Sequence, residues 1–242
     1  MPTIDVLLAG MTVNTDQSRL GLCTVTLIRG RTNILVDVAH FGRRLLLHEA
    51  LANRGLTPDD IHTVVITHAH WDHAQNVDMF PKARYLINRQ EVEYSRSPGK
   101  GDHATPPYFE ATLKGLRVED ARDGMEIEPG VRIIETPGHT KGHVSVVVDT
   151  PQGKAVIAAD AFPDAFTVKR GQPYLIFWNE QDARASVRKI MANGTMIYPG
   201  HDRPFRIGEG GATQYVGGVA SIKVIARLEE GESRVVVNVG VE

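Results

Sequence analysis

A chain of 242 residues with 42% hydrophobic and 23% charged residues has the balance of an ordinary globular protein, which supports a sizeable core and excludes wholesale disorder. The formal net charge is −2 and Lys and Arg are scattered, so no concentrated positive field is available and a dedicated nucleic-acid binder is disfavoured. The single cysteine, Cys23, rules out an internal disulfide and a thiolate-rich zinc site; any metal must be held by imidazole and carboxylate.

Residues 1–15 lack the basic start and unbroken apolar run of a secretory signal, and no segment offers about 18 consecutive apolar residues. The expectation is a soluble, cytoplasmic protein with no membrane segment. Apolar runs rich in β-branched residues recur at 4–8, 24–28, 33–38, 64–67, 84–87, 132–136, 144–149, 155–158 and 195–198. Their lengths and their Gly, Pro and Asp boundaries predict strands.

Helical spacing marks 41–53, where Leu46, Leu47, Ala50 and Leu51 share a face and Gly55 suits a left-handed stop. A second helix is predicted over 180–192, with Ala183, Val187, Ile190 and Met191 clustered, and a shorter one over 88–94. Two amphipathic helices among many strands predict a layered sheet architecture with a helix over each outer face.

The stretch 95–107 (SRSPGKGDHATPP) is too polar and too rich in Gly and Pro to order itself on apolar burial, and is a candidate mobile lid or a plain surface connection. After Phe205 the chain turns Gly-rich, and apolar-containing runs at 221–228 and 234–239 flank Gly231. They predict a terminal hairpin that packs on the sheet or pairs with a second copy in a homodimer. The expected organisation is one domain over 1–207 and an extension over 208–242.

The most informative segment is Thr67-His68-Ala69-His70-Trp71-Asp72-His73, directly after the apolar Val64-Val65-Ile66. Residues two apart on extended backbone point to one side, so His68 and His70 can grip one ion together. Asp72 and His73 follow once the chain turns, free to face a neighbouring ion. Further donors stand where an apolar run gives way to a turn: His139 in Pro137-Gly138-His139, Asp160 after the run ending at Ala159, and His201 in Pro199-Gly200-His201. Such strand ends are where layered folds gather functional groups.

This pattern, H-x-H-x-D-H followed by Gly-His, Asp and Gly-His, resembles the metal signature of the metallo-β-lactamase superfamily over about residues 20–205. Thr136-Pro137-Gly138-His139 with His143, and Tyr198-Pro199-Gly200-His201 through Arg206, are similar to the branch containing metallo-β-lactamase domain-containing protein 1 and its bacterial relatives. The resemblance implies a single-domain, four-layer αββα sandwich of the α/β class. It implies that His68, His70 and His139 bind one ion, that Asp72, His73 and His201 bind a second, and that Asp160 bridges them. It also implies a catalytic part for Asp72, in orienting the nucleophile or accepting its proton. His143 lies outside the signature and is expected to play a structural or supporting role.

Neutral imidazole and carboxylate suit two divalent ions, zinc first, with manganese or iron compatible. Two cations about 3.5 to 4 Å apart make a bridging hydroxide the expected nucleophile. Seven donors for two ions leave open positions, which favours catalysis over a closed structural site. The expected activity is hydrolysis of a small-molecule ester, lactone or amide. A phosphodiesterase or nuclease of the same fold, and a mononuclear iron sulfur dioxygenase, are the competing classes.

N-acyl homoserine lactonases share the ligand pattern, but the tyrosine they carry shortly after the bridging aspartate has no counterpart in Ala161-Phe162-Pro163-Asp164. Tyr174 and Tyr198 are candidate substitutes. Trp71, Phe162, Phe166, Tyr174, Phe177 and Trp178 are candidates to line a pocket, Trp71 foremost because it lies between ligands.

Overall fold

A computed structural model describes residues 1–217, 220–228 and 231–239. From the N-terminus, β1 (Thr3–Leu8) is followed by a hairpin of β2 (Met11–Asn14) and β3 (Arg19–Leu22), then by β4 (Val25–Arg29) and β5 (Asn33–Val36). The helix α1 (Arg44–Ala52) leads to β6 (Thr63–Val65), the short α2 (Trp71–Ala74), β7 (Arg84–Ile87), α3 (Arg89–Ser95), α4 (Phe109–Thr112) and β8 (Arg117–Asp120). These form a six-stranded sheet in the order β1-β4-β5-β6-β7-β8, with β2 and β3 paired separately.

The second half supplies β9 (Glu126–Glu128), β10 (Val131–Glu135), β11 (Val144–Thr150), β12 (Gly153–Ala159), α5 (Thr167–Arg170), α6 (Glu180–Asn193), β13 (Met196–Pro199), β14 (Phe205–Ile207) and β15 (Thr213–Tyr215). Its sheet runs β15-β14-β13-β12-β11-β10-β9, so β15 adds an edge strand drawn from the segment after residue 207. At the C-terminal end, β16 (Ala220–Leu228) and β17 (Gly231–Val239) pair antiparallel from Ala220↔Val239 to Leu228↔Gly231.

The central strands, β4, β5, β6, β11 and β12 among them, are apolar on both faces because both faces are covered, the pattern of sheets buried between helices and a second sheet. Along β11, Val146 and Val148 face the other sheet while Val147 faces outward to α6; along β5, Ile34 and Val36 face inward while Leu35 turns toward α1. Ile28, Ile34, Val36, Val65 and Leu86 of the first sheet meet Val131, Ile133, Val144, Val146 and Ile157 of the second. Leu47, Ala50 and Leu51 of α1 cover one outer face, and Val187 and Ile190 of α6 the other. The result is the αββα sandwich implied by the resemblance.

Two local expectations change. The first turn predicted in helix 41–53 is a separate 3-10 turn, Phe41–Arg43, initiated by His40, whose Nδ1 accepts the N–H of Gly42. Leu46 does not share the buried face: it is 51% exposed, because the 100° step per residue that places Leu47, Ala50 and Leu51 on the sheet turns it to solvent.

Candidate metal centre

The donors gather at one edge of the sandwich, each on the loop that leaves a strand. After β6 the chain runs through His68 and His70 into α2, whose first turns carry Asp72 and His73. His139 sits between β10 and β11, Asp160 directly after β12, and His201 directly after β13. Two backbone features admit Asp160. Ala159 takes a left-handed φ of 42° beside an irregularity in the β12–β13 register. A Cβ on Gly200 would collide with Asp160 Oδ1 and the backbone of Ala159, so only glycine fits.

All seven predicted donors come together, in two groups: His68, His70, His139 and Asp160; and Asp72, His73 and His201. Within each group the donor atoms lie within 4.8 Å of one another. His139 Nε2 and His70 Nδ1 are 3.1 Å apart. Asp160 reaches both groups: Oδ1 lies 3.3 Å from His73 Nε2, while Oδ2 lies 3.2 Å from His201 Nε2 and 3.4 Å from His139 Nε2. Asp72 Oδ2 is 3.4 Å from His201 Nε2 and 3.7 Å from His73 Nε2.

The second ring nitrogen of every one of these histidines is already engaged, which fixes which nitrogen faces inward. His139 Nδ1–H donates to Leu175 O at 2.9 Å, and His201 Nδ1–H to Leu22 O at 3.2 Å. His73 Nδ1–H donates to Asp37 Oδ2 at 2.7 Å. The single proton of the Thr67 hydroxyl goes to Asp37, so that oxygen accepts from His68 Nδ1–H at 3.0 Å. His70 is reversed: its Nε2–H faces Asp102, 3.2 Å from Oδ1, and its Nδ1 turns inward. The inward atoms His68 Nε2, His73 Nε2 and Asp160 Oδ1 are buried with no hydrogen-bond partner, a costly state that a bound cation relieves.

The electrostatics agree with that fit. Burial holds His139 down to about 4, and burial with the neighbouring imidazoles holds His68 well below its ordinary range, so both are neutral donors. Burial also pushes His73 down, but Asp72, Cys23, Asp160 and Asp37 outweigh it and raise it well above 6.5; His201 is raised in the same way by Asp160 and Asp72. This half of the site demands positive charge, which a divalent cation supplies without protonating a donor nitrogen. The residues present therefore fit divalent metal ions.

Four supporting residues escaped sequence reasoning. Asp37, at a left-handed φ of 60°, takes the N–H and hydroxyl of Thr67 on one side and His73 on the other. Glu91 is buried on α3, with Oε1 accepting the N–H of Ala69 and Oε2 the N–H of Gly142, so one carboxylate clasps the loops bearing His70 and His139. Burial raises its pKa above the usual value against those two bonds. Asp102 accepts from Tyr94 and Thr105 as well as His70. Burial opposes its ionisation, but the hydrogen bond and charge of His70, with Thr105 and Tyr94, hold the carboxyl well below the usual range. The sequence signal for Asp37 was an acid at the end of a buried strand; Thr67, Glu91 and Asp102 carried none.

His143 is fully buried and hydrogen-bonded at both nitrogens, to the Thr136 hydroxyl at 2.9 Å and the Ala161 N–H at 3.3 Å, which leaves no nitrogen free for a metal. Of the aromatic candidates, Phe177 packs 5.5 Å from the rings of His70 and His139, and Trp71 packs 5.0 Å from His40. Tyr174 donates to or accepts from Thr12 Oγ1 at 3.3 Å and feels Asp160 and Asp72, which with burial push its phenol up to about 12. The other three lie elsewhere: Phe162 is core against Phe205, Phe166 lines a groove with Lys169 and Tyr215, and Trp178 meets Tyr94 and Lys141. Tyr198 packs against the inter-sheet core, under the influence of Asp5 and Arg206. The stretch 95–107 is tied to the site through Asp102 and through Ala104 O, which accepts the N–H of Trp71 at 3.0 Å.

An αββα sandwich with buried histidine and aspartate clusters at one edge defines a metal-dependent hydrolase. The chain belongs to the metallo-β-lactamase superfamily, whose sequence profile matches residues 18–201. It is 32% identical over 186 residues to metallo-β-lactamase domain-containing protein 1 of Xenopus laevis, covering 76% of this chain and 72% of that protein. It is 27% identical over 153 residues to an N-acyl homoserine lactonase of Bacillus sp, covering 61% of this chain and 58% of the lactonase, so the match spans less than two thirds of that relative. The fold is similar to the solved structure of an N-acyl homoserine lactone hydrolase with N-hexanoyl-L-homoserine bound at its catalytic metal centre, with a TM-score of 0.66 at 21% identity, over 82% of this chain and 92% of that one. Among the described residues, no helix is long and apolar enough to cross a membrane.

Proposed function

We propose that the chain is a dinuclear hydrolase of a small ester, lactone or amide, in which His68, His70 and His139 hold one divalent ion, Asp72, His73 and His201 hold the other, and Asp160 is shared. The observation that carries this reading is the convergence of five imidazole nitrogens, each with its outer nitrogen already bonded, around two carboxylates. Zinc is the ion proposed, because borderline nitrogen and carboxylate donors suit it, with manganese and iron accepting similar sets. When bound, two such cations make water nucleophilic at neutral pH and polarise a carbonyl oxygen.

The chain's own groups do the rest. Asp72, within reach of both His73 and His201, is the carboxylate placed to take the proton of the attacking water. Phe177 walls the side of His70 and His139 and keeps bulk water from them. Tyr174 supplies a neutral phenol near Asp160 and Asp72, held by Thr12 of the β2–β3 hairpin, in the role of hydrogen-bond donor to a carbonyl oxygen. In this proposed role Tyr174 substitutes for the tyrosine missing after Asp160, which favours a lactone or ester over a phosphodiester.

The test is a screen of zinc-reconstituted protein over lactones, esters, amides and phosphodiesters, beginning with N-acyl homoserine lactones because the Bacillus relative is named for them. Turnover of a carbonyl substrate is expected. Turnover of phosphodiesters alone, or none with metal fully loaded, would overturn the reading.

A further inference from the structure

The stretch 95–107 touches the donor cluster at one point. The Asp102 carboxylate is 8% exposed as a residue and its side chain is fully enclosed, lying 3.2 Å from His70 Nε2. Its two oxygens divide the work. Oδ1 accepts the N–H groups of Ala104 and Thr105, each at 3.0 Å, and so builds the turn at 102–105. Oδ2 accepts from the Tyr94 hydroxyl at 2.8 Å, the Thr105 hydroxyl at 2.7 Å and His70 Nε2–H at 3.3 Å. The same turn presents Ala104 O to the N–H of Trp71, the residue between His70 and Asp72.

His70 is the one histidine of the five whose Nδ1 faces inward. Its ring carries a proton at Nε2 only while an acceptor stands there; with a donor in that place the proton moves to Nδ1 and blocks the inward nitrogen. We propose that Asp102 is a positioning residue that fixes the tautomer of His70, and that the turn 102–105 is thereby coupled to metal binding in the half of the site formed by His68, His70, His139 and Asp160. Outer carboxylates of this kind are worth about 10- to 100-fold in metal affinity. Coupling between two equilibria is reciprocal, so metal binding must stabilise the turn by the same factor. The inference rests on the metal-site reading above.

The discriminating variant is Asp102→Asn. Its amide oxygen still accepts the N–H groups of Ala104 and Thr105, so a purely structural role for the turn predicts unchanged metal binding. Its NH2 replaces Oδ2; the Tyr94 and Thr105 hydroxyls can turn to accept from it, but His70 Nε2 can accept only by moving its proton to Nδ1, so the positioning role predicts zinc affinity lower by about 10- to 100-fold in chelator competition, with an altered ligand-field spectrum in the cobalt form. Hydrogen exchange in the wild-type protein is an independent arm: zinc should slow exchange at the amides of Ala104, Thr105 and Trp71 by about the same factor relative to Val187 on the remote helix α6. Wild-type zinc affinity in Asp102→Asn overturns the inference while leaving the metal site intact. Should that variant not fold, unchanged exchange at those three amides upon zinc binding overturns it. A wild-type chain that binds no divalent ion defeats the metal-site reading itself.

Discussion

His73 Nδ1–H donates to Asp37 Oδ2 across 2.7 Å, and the same carboxylate takes the hydroxyl proton of Thr67, which in turn accepts from His68. One buried acid thus orients a histidine in each half of the site. Asp37 holds its left-handed backbone, a conformation that costs about 1 to 3 kcal/mol for a residue with a side chain, because Thr67 and His73 over-determine it.

Replacing that acid tests how far the outer layer sets metal affinity. In Asp37→Ala, His73 and Thr67 lose their shared acceptor, and zinc affinity is expected to fall by about 10- to 100-fold in chelator competition. Affinity equal to wild type would mean that the imidazoles are held by packing alone.

Glu91 carries a stability prediction that does not depend on metal. Glu91→Ala strands the buried N–H groups of Ala69 and Gly142, each at a cost of about 1 to 3 kcal/mol. Denaturant unfolding of the metal-free variant should show a loss on the order of 2 to 5 kcal/mol, which includes the vacated side-chain volume. A midpoint unchanged from wild type would contradict the clasp.

The strands and the donor residues were legible because each depends on local pattern: an unbroken apolar run along a strand buried on both faces, and polar side chains where that run stops. Leu46 was misplaced because four leucine and alanine positions were crowded onto one face that geometry limits to Leu47, Ala50 and Leu51. Asp37, Glu91 and Asp102 were invisible as site residues because their partners, Thr67 and His73, Ala69 and Gly142, and His70, become neighbours only when separate loops converge. The contacts that tie 95–107 to the site were hidden for the related reason that buried hydrogen bonds leave no mark on composition.

Tyr174 tests the substrate assignment. Removing its hydroxyl in Tyr174→Phe deletes the proposed donor to a carbonyl oxygen while keeping the ring; kcat on the best lactone or ester should drop by on the order of 10²-fold, with metal content unchanged. An unchanged kcat would remove Tyr174 from the chemistry.

Gly200 tests the packing that admits Asp160. In Gly200→Ala the new methyl meets Asp160 Oδ1 and the Ala159 backbone, so the carboxylate must shift. Overpacking of this kind costs about 1 to 3 kcal/mol, and both stability and bound metal should decline together. A variant with wild-type metal content would show that Asp160 has room to spare.

A pair of cations sharing Asp160 is measured directly by elemental analysis of purified protein after zinc loading and gel filtration. The expected result is about two zinc ions per wild-type chain, with a clear loss in Asp160→Ala, since deleting the one carboxylate that reaches both groups weakens both halves. A wild-type chain that retains at most one ion, or an Asp160→Ala variant that keeps the full complement, would contradict it.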